Sequence, residues 1–265
     1  MVHLRQQKGS IYTLLPPADG AVTILLDDGV ARARARTIDL VTVSRFEVPA
    51  AWAAKALEDL GPIWGELSND FHMKWHEHDP LRDLSKTIEF GWSGFPGAAE
   101  VQVEAQALGL PYKLKAWKSA EGAKWVDGHL ATILPRMWVL CEQHYSSECD
   151  QMRWRGMHHV YGLFGTGFNK VTVGWNTPTL LHYDNKNEGI TALLIIGMNE
   201  LSGGSHVLFG NDLHAAVVVE HVPDVGILII GDYKRVLHGN LSTIAGDRLV
   251  VNAYSSVRMV SRLYE

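Results

Sequence analysis

The segment TPTLLHYDNKNEGIT, Thr177 to Thr191, sets His182 and Asp184 two positions apart at the edge of an apolar run. Side chains on a strand alternate between faces, so a pair with that spacing points the same way and both members can grip one ion. The stretch GDYKRVLHGN adds His238 after another apolar run, VGILII, and a turn at Gly231-Asp232. Two imidazoles and one carboxylate on one side of a metal leave three positions open, the facial arrangement that non-haem Fe(II) oxygenases use. Those openings suit a co-substrate and O2. Arg248 opens the next predicted strand, RLVVNAY. Its permanently charged fork suits the far carboxylate of an organic acid such as 2-oxoglutarate, whose keto acid end would chelate the iron. Each residue also has an ordinary reading: a turn pair, a loop histidine and a surface charge. The order in which they come favours the metal: a strand, His-x-Asp, several apolar strands, Gly-Asp, His, then Arg.

The segments FNKVTVGWNTPTLLHYDNKNEGITALLIIGMNELSGGSHVLFG, GDYKRVLHGN and GDRLVVNAYSS carry a more specific likeness. Over roughly Val160 to Ser256 the chain resembles the Fe(II)/2-oxoglutarate dioxygenases of the ten-eleven-translocation and J-binding protein group. The shared features are the NKVTV…N…H-x-D-x-x-N opening and the Gly203-Gly204 turn before a strand. The resemblance implies a double-stranded β-helix, a jelly roll of two sheets, mainly β, with buttressing N-terminal helices. It implies catalytic iron on His182, Asp184 and His238, and 2-oxoglutarate on Arg248. Asn176 is a further candidate for touching the co-substrate, its alternative being turn-making before Pro178. The implied substrate is the methyl group of 5-methylcytosine or thymine in nucleic acid. Ascorbate is an alternative co-substrate, since one algal relative in the group is described as using it. The animal enzymes carry a cysteine-rich zinc region that two cysteines cannot build, which places the chain nearer the compact algal, fungal or protist branches.

Positioning such residues needs strands. IYTLL, AVTILL and TIDLVTV read as short strands separated by turns, and VPAAWAAKALEDL reads as a helix from Val48 to Leu60, stopped by Gly61-Pro62. A second helical stretch spans about Asp127 to Glu148, where Pro135 should kink or split it. After Arg153 a run of β-branched segments, VYGLF, NKVTVGW, ITALLIIG, SHVLFG, HAAVVVEHV, VGILIIGD and RLVVNAYSS, suggests two facing sheets or a barrel. We expect one oxygenase domain over 1–265, with supporting strands and helices in 1–150 and the jelly-roll core in 151–265.

A net charge of −5 means that any nucleic-acid surface must be a local patch. No apolar stretch reaches membrane-spanning length and the start lacks a secretory pattern, so an intracellular protein of cytoplasm or nucleus is expected. Cys141 and Cys149 are too few for a disulfide scaffold. His72, His76 and His78 form a cluster read as incidental, and His158-His159 as structural histidine. Arg32, Arg34 and Arg36 are read as the charged face of an edge strand rather than a phosphate track. Lys170, Lys186, Arg153 and Arg155 are better placed to meet a polynucleotide, and Trp175, Tyr183 and Phe209 could stack on a flipped base, although core packing is the commoner role of such rings.

Overall fold

A computed structural model describes residues 11–26, 39–48, 50–67, 87–93, 112–155, 161–209, 216–222 and 224–256. The arginine stripe at 32–36, the histidines at 72–78 and His158-His159 lie outside the described residues. In chain order come β1 (Ile11–Leu14), β2 (Ala21–Leu26), β3 (Asp39–Phe46), helix α1 (Ala50–Leu67), β4 (Thr87–Ser93) and β5 (Tyr112–Lys113). Short helices α2 (Lys115–Lys118) and α3 (Ala120–Trp125) lead through a π-helical turn, Val126–Leu130, into α4 (Ala131–His144) and α5 (Ser146–Arg155). Eight strands follow: β6 (Lys170–Trp175), β7 (Thr179–His182), β8 (Asn187–Gly203), β9 (His206–Phe209), β10 (Ala216–Val219), β11 (Gly226–Gly231), β12 (Leu237–Asn240) and β13 (Thr243–Ser256).

These strands form two sheets, one ordered β1-β10-β9-β12-β7 and the other β2-β3-β11-β8-β13-β6-β4-β5. Strands β6 to β13 pass back and forth between the two sheets, with the β9-β10 hairpin kept in the small one, which is the double-stranded β-helix. The N-terminal strands extend both sheets, β1 pairing parallel with β10 and the β2-β3 hairpin joining β11. Two cores result. Between the sheets Leu193, Ile195, Ile227 and Ile229 meet Leu208, Val217 and Val219. On the outer face of the large sheet Leu194, Ile196, Val171, Val173 and Val251 pack with Leu60, Ile63, Leu130, Leu134 and Met137 from the helices. Each fully buried aliphatic side chain contributes about 1.5–3 kcal/mol. Covering both faces explains why β8 is buried without alternation from Ile190 to Ile196, and apolar throughout from Ala192.

Three sequence expectations are corrected. Helix α1 does not stop at Gly61-Pro62 but runs to Leu67 with Pro62 inside it. The fully buried Ile63, and Trp64 packed 5.7 Å from the Trp175 ring, offset the lost backbone hydrogen bond. Pro135 does not split α4; the π-helical turn one turn upstream changes the register where the proline nitrogen offers no hydrogen, and the rod breaks later, at Tyr145. VYGLF does not form a strand: its described part holds a 3-10 turn at Leu163–Gly165 with Phe164 left-handed at φ 52°. Among the described residues no helix is long and apolar enough to cross a membrane. Both cysteines are free and buried.

Candidate metal centre

Strand β7 is the outer strand of the small sheet and ends on His182; β12 runs antiparallel beside it with His238 directly opposite His182. Opposed residues on antiparallel strands share a face, and the two imidazole rings lie 4.4 Å apart. The parity argument from the sequence stops at His182, because Asp184 lies beyond the strand end. Other contacts aim it. Its N–H donates to the Tyr233 carbonyl at 2.9 Å, and the Asn187 amide donates to Asp184 Oδ2 at 3.0 Å. The result is His182 Nε2 at 3.5 Å from Asp184 Oδ1 and His238 Nε2 at 3.9 Å from Oδ2. One ligand atom from each of the three residues lies within 4.8 Å of the others. Metal–ligand bonds near 2.1 Å set cis donors about 3 Å apart, so a small contraction closes the set around one ion.

The donor chemistry fits a divalent cation. His182 Nδ1 and His238 Nδ1 stand 2.8 and 2.9 Å from the carbonyls of Leu180 and Val236. A carbonyl only accepts, so each Nδ1 carries a hydrogen, and each Nε2, which faces Asp184, is the ring atom left to act as a metal ligand. Burial holds His238 neutral, lowering its pKa to about 4; Asp184 opposes the shift and His182 adds to it. Behind His238 the Tyr233 ring stacks at 4.3 Å. The Tyr233 hydroxyl donates to His206 Nε2 at 3.1 Å, and His206 Nδ1 donates to Asn240 Oδ1 at 2.9 Å. Tyr233, His206 and Asn187 were not singled out from the sequence, although Asn187 closes the H-x-D-x-x-N motif and Tyr233 stands in GDY.

The buried histidines give a pH dependence. Burial first, then His238, lowers the His206 pKa to about 3. Both histidines have folded values below the ordinary 6.5. Their contribution is therefore present above pH 6.5 and lost as pH falls, because only the unfolded chain takes up these protons. Metal-free protein should lose up to roughly 1.4 kcal/mol per pH unit for each histidine on acidification below that point, down to about pH 4. Chemical denaturation between pH 7 and 4 measures it, and His206→Asn should flatten the slope.

Arg248 is fully buried on β13. Its guanidinium donates to the Gly204 carbonyl, to the Thr177 carbonyl at 2.5 Å and to the Leu241 carbonyl at 3.3 Å. The Nε hydrogen is buried without a partner among the described residues, a donor available to an anion. Burial lowers the Arg248 pKa to about 10, so the group remains a cation at neutral pH. Gly204 adopts φ +69° and any Cβ there would sit 3.3 Å from the guanidinium, which accounts for glycine in that place. β13 begins at Thr243, so Arg248 lies within the strand rather than at its start. Asn176, left-handed at φ 48°, grips the Arg248 backbone: its Oδ1 accepts from the Arg248 N–H at 2.7 Å and its own N–H donates to the Arg248 carbonyl at 2.9 Å. Its amide nitrogen goes to Gly246 and Asp247. Asn176 thus fixes the arginine strand.

The other candidates divide. Trp175 donates to Asp247 at 2.7 Å and packs on Trp64, a structural role. Tyr183 is exposed beside the triad, and Phe209 is half-buried on β9. Arg153 is engaged by Glu142 and lies over Trp138 in the helical layer. Lys170 reaches toward Glu89 at 3.8 Å on the large sheet.

No protein-family model matches the chain, and no curated protein matches it. Solved structures do. NgTET1, solved in complex with 5mC DNA, superposes with a TM-score of 0.59 at 12% identity, over 97% of this chain and 86% of that one. A 2OG-Fe(II) oxygenase family oxidoreductase from Burkholderia pseudomallei aligns with a TM-score of 0.44 at 11% identity, over 93% of this chain and 95% of that one. At such identity a likeness speaks for the fold, and the fold this chain shares with NgTET1 is the double-stranded β-helix.

Proposed function

We propose that this protein is an Fe(II)- and 2-oxoglutarate-dependent dioxygenase that oxidises the methyl group of 5-methylcytosine or thymine in nucleic acid. The observation that carries the reading is the convergence of His182, Asp184 and His238, with each Nε2 left as the ligand atom by a hydrogen bond at Nδ1. Iron held there would couple O2 to the oxidative decarboxylation of a keto acid and to hydroxylation of a C–H bond. The chain's own residues supply the setting. Asp184 brings the negative charge, Asn187 aims it, and Tyr233 fixes the plane of the His238 ring. Arg248 offers its unpaired Nε hydrogen to the far carboxylate of the acid. The buried walls around His206 and Tyr233 keep water from the inner side. That NgTET1 was solved with 5mC DNA supports the nucleic-acid substrate.

The net charge of −5 favours a second reading, in which the same centre hydroxylates a protein side chain or a small molecule. One experiment separates them. Incubation with Fe(II), O2, methylated DNA and either 2-oxoglutarate or ascorbate, read by mass spectrometry of the bases, should give a hydroxymethyl product with one of the two acids. Succinate formed without any base product would point to the second reading. DNA binding by the first should also fall steeply with salt.

A further inference from the structure

Through the core between the sheets runs a chain of four hydrogen-bonded polar side chains. Tyr233, 1% exposed, lies among Leu193, Leu208, Val217 and Val236. Its hydroxyl donates to His206 Nε2 at 3.1 Å, and the wholly buried His206 donates from Nδ1 to Asn240 Oδ1 at 2.9 Å. The Asn240 amide donates in turn to Thr179 Oγ1 at 3.0 Å. Holding the plane of His238 does not require this chain. A phenylalanine would stack on His238 as the Tyr233 ring does, at 4.3 Å with 20° between the planes. The hydroxyl adds a buried polar group that must be paired; pairing it takes His206, and fixing His206 takes Asn240. Apolar groups of the same shape would serve stability about as well. What the chain does provide is a phenol in ring contact with a ligand of the metal site, with its hydrogen aimed at the lone pair of a base. Asn240 fixes that arrangement, because its carbonyl oxygen keeps the His206 hydrogen on Nδ1 and leaves Nε2 to the phenol.

Resting on the oxygenase reading, we infer that Tyr233 and His206 form a redox pair that discharges the metal centre when O2 reacts there with no substrate C–H bond in reach. In that event the keto acid takes one oxygen atom as it loses carbon dioxide, and iron is left two electrons above its resting state. Tyr233 gives one electron through the stacked His238 ring and its phenol proton to His206 Nε2. The O–H bond breaks and an N–H bond forms. The products are a neutral phenoxyl radical, an imidazolium and iron one electron above rest. A phenol that has lost an electron is a far stronger acid than an imidazolium, so the proton moves even onto a buried ring. Two electrons supplied in the end by a soluble one-electron reductant, the class to which ascorbate belongs, and two protons from water return the site to rest and release the second oxygen atom as water. The pair thus takes on itself an oxidation that would otherwise fall on His182 and His238.

The test reads the radical rather than turnover. Protein loaded anaerobically with Fe(II) and 2-oxoglutarate is checked for the metal-to-ligand absorption band, mixed with O2 without nucleic acid or any other substrate, frozen at intervals and examined by electron paramagnetic resonance. The wild-type protein should give a tyrosyl signal that narrows when its tyrosines carry ring deuterium. Tyr233→Phe keeps the ring and lacks only the hydroxyl, so it should lose the signal with the band intact, and peptide mass spectrometry should find more oxygen on the segments holding His182 and His238. His206→Gln can accept the hydrogen bond but not the proton, and should lose most of the signal. Tyr183→Phe, which alters the exposed tyrosine beside the triad, should keep it. A wild-type protein with the band and no tyrosyl signal, or a signal that survives in Tyr233→Phe, overturns the inference. Should Tyr233→Phe lose the band, His206→Gln decides, and a signal there equal to the wild type's overturns the pairing. Absence of the band from the wild-type protein overturns the oxygenase reading itself.

Discussion

His182→Ala and Asp184→Ala should each give a folded protein without turnover. The reason lies in where the three donors sit. His182 and Asp184 keep 42% and 20% of their side chains exposed at the rim of the small sheet, whereas His238 is buried against Tyr233. Truncating either rim residue removes a ligand from the ion and leaves both cores untouched. A facial set reduced to two protein donors holds iron weakly and no longer leaves the correct three positions open. Circular dichroism and thermal melting should therefore stay near the wild type while product formation and the anaerobic absorption band disappear. Full activity in either variant would remove that residue from the site. His238→Ala is the less informative change, since it opens a cavity beside Tyr233 and unsettles the fold along with the metal.

Arg248→Met should raise the co-substrate concentration needed for half-saturation by roughly two orders of magnitude, the usual consequence of truncating one partner of a buried, hydrogen-bonded charge pair. It should also lower the melting temperature. The guanidinium serves the carbonyls of Gly204, Thr177 and Leu241, and each buried acceptor left unpaired costs about 1–3 kcal/mol. Asn176→Ala separates the two effects, because it loosens the Arg248 backbone while leaving the guanidinium in the protein. Its half-saturation should rise less than that of Arg248→Met. Titration of each variant with 2-oxoglutarate at fixed Fe(II), alongside a thermal melt, reads both quantities. An unchanged requirement in folded Arg248→Met would assign the carboxylate to another cation.

Much of this architecture was legible in residue order because strands of a jelly roll announce themselves as β-branched runs between turns, and β6, β8, β11 and β13 fall where those runs lie. Pairing was not legible. Nothing local in LLHYD says that His182 will face His238 across β7 and β12; that register depends on the whole small sheet. The helix ends failed for a related reason: Gly61-Pro62 is a stop signal only where no burial overrides it, and Ile63 and Trp64 do override it. For Asn176 the sequence offers co-substrate contact or turn-making, whereas its left-handed backbone and its grip on Arg248 depend on the paired strands.

The opposition of His182 and His238 also dictates when the centre can exist during synthesis. The two histidines are separated by the entire run from β8 to β11, and they meet only after that run has folded back twice between the sheets. A nascent chain that has emerged only through Asp184 presents two donors and no register to hold them. On the oxygenase reading, a metal ion would find all three donors only on the completed topology, and a chain cut anywhere before β12 would carry His182 and Asp184 without His238.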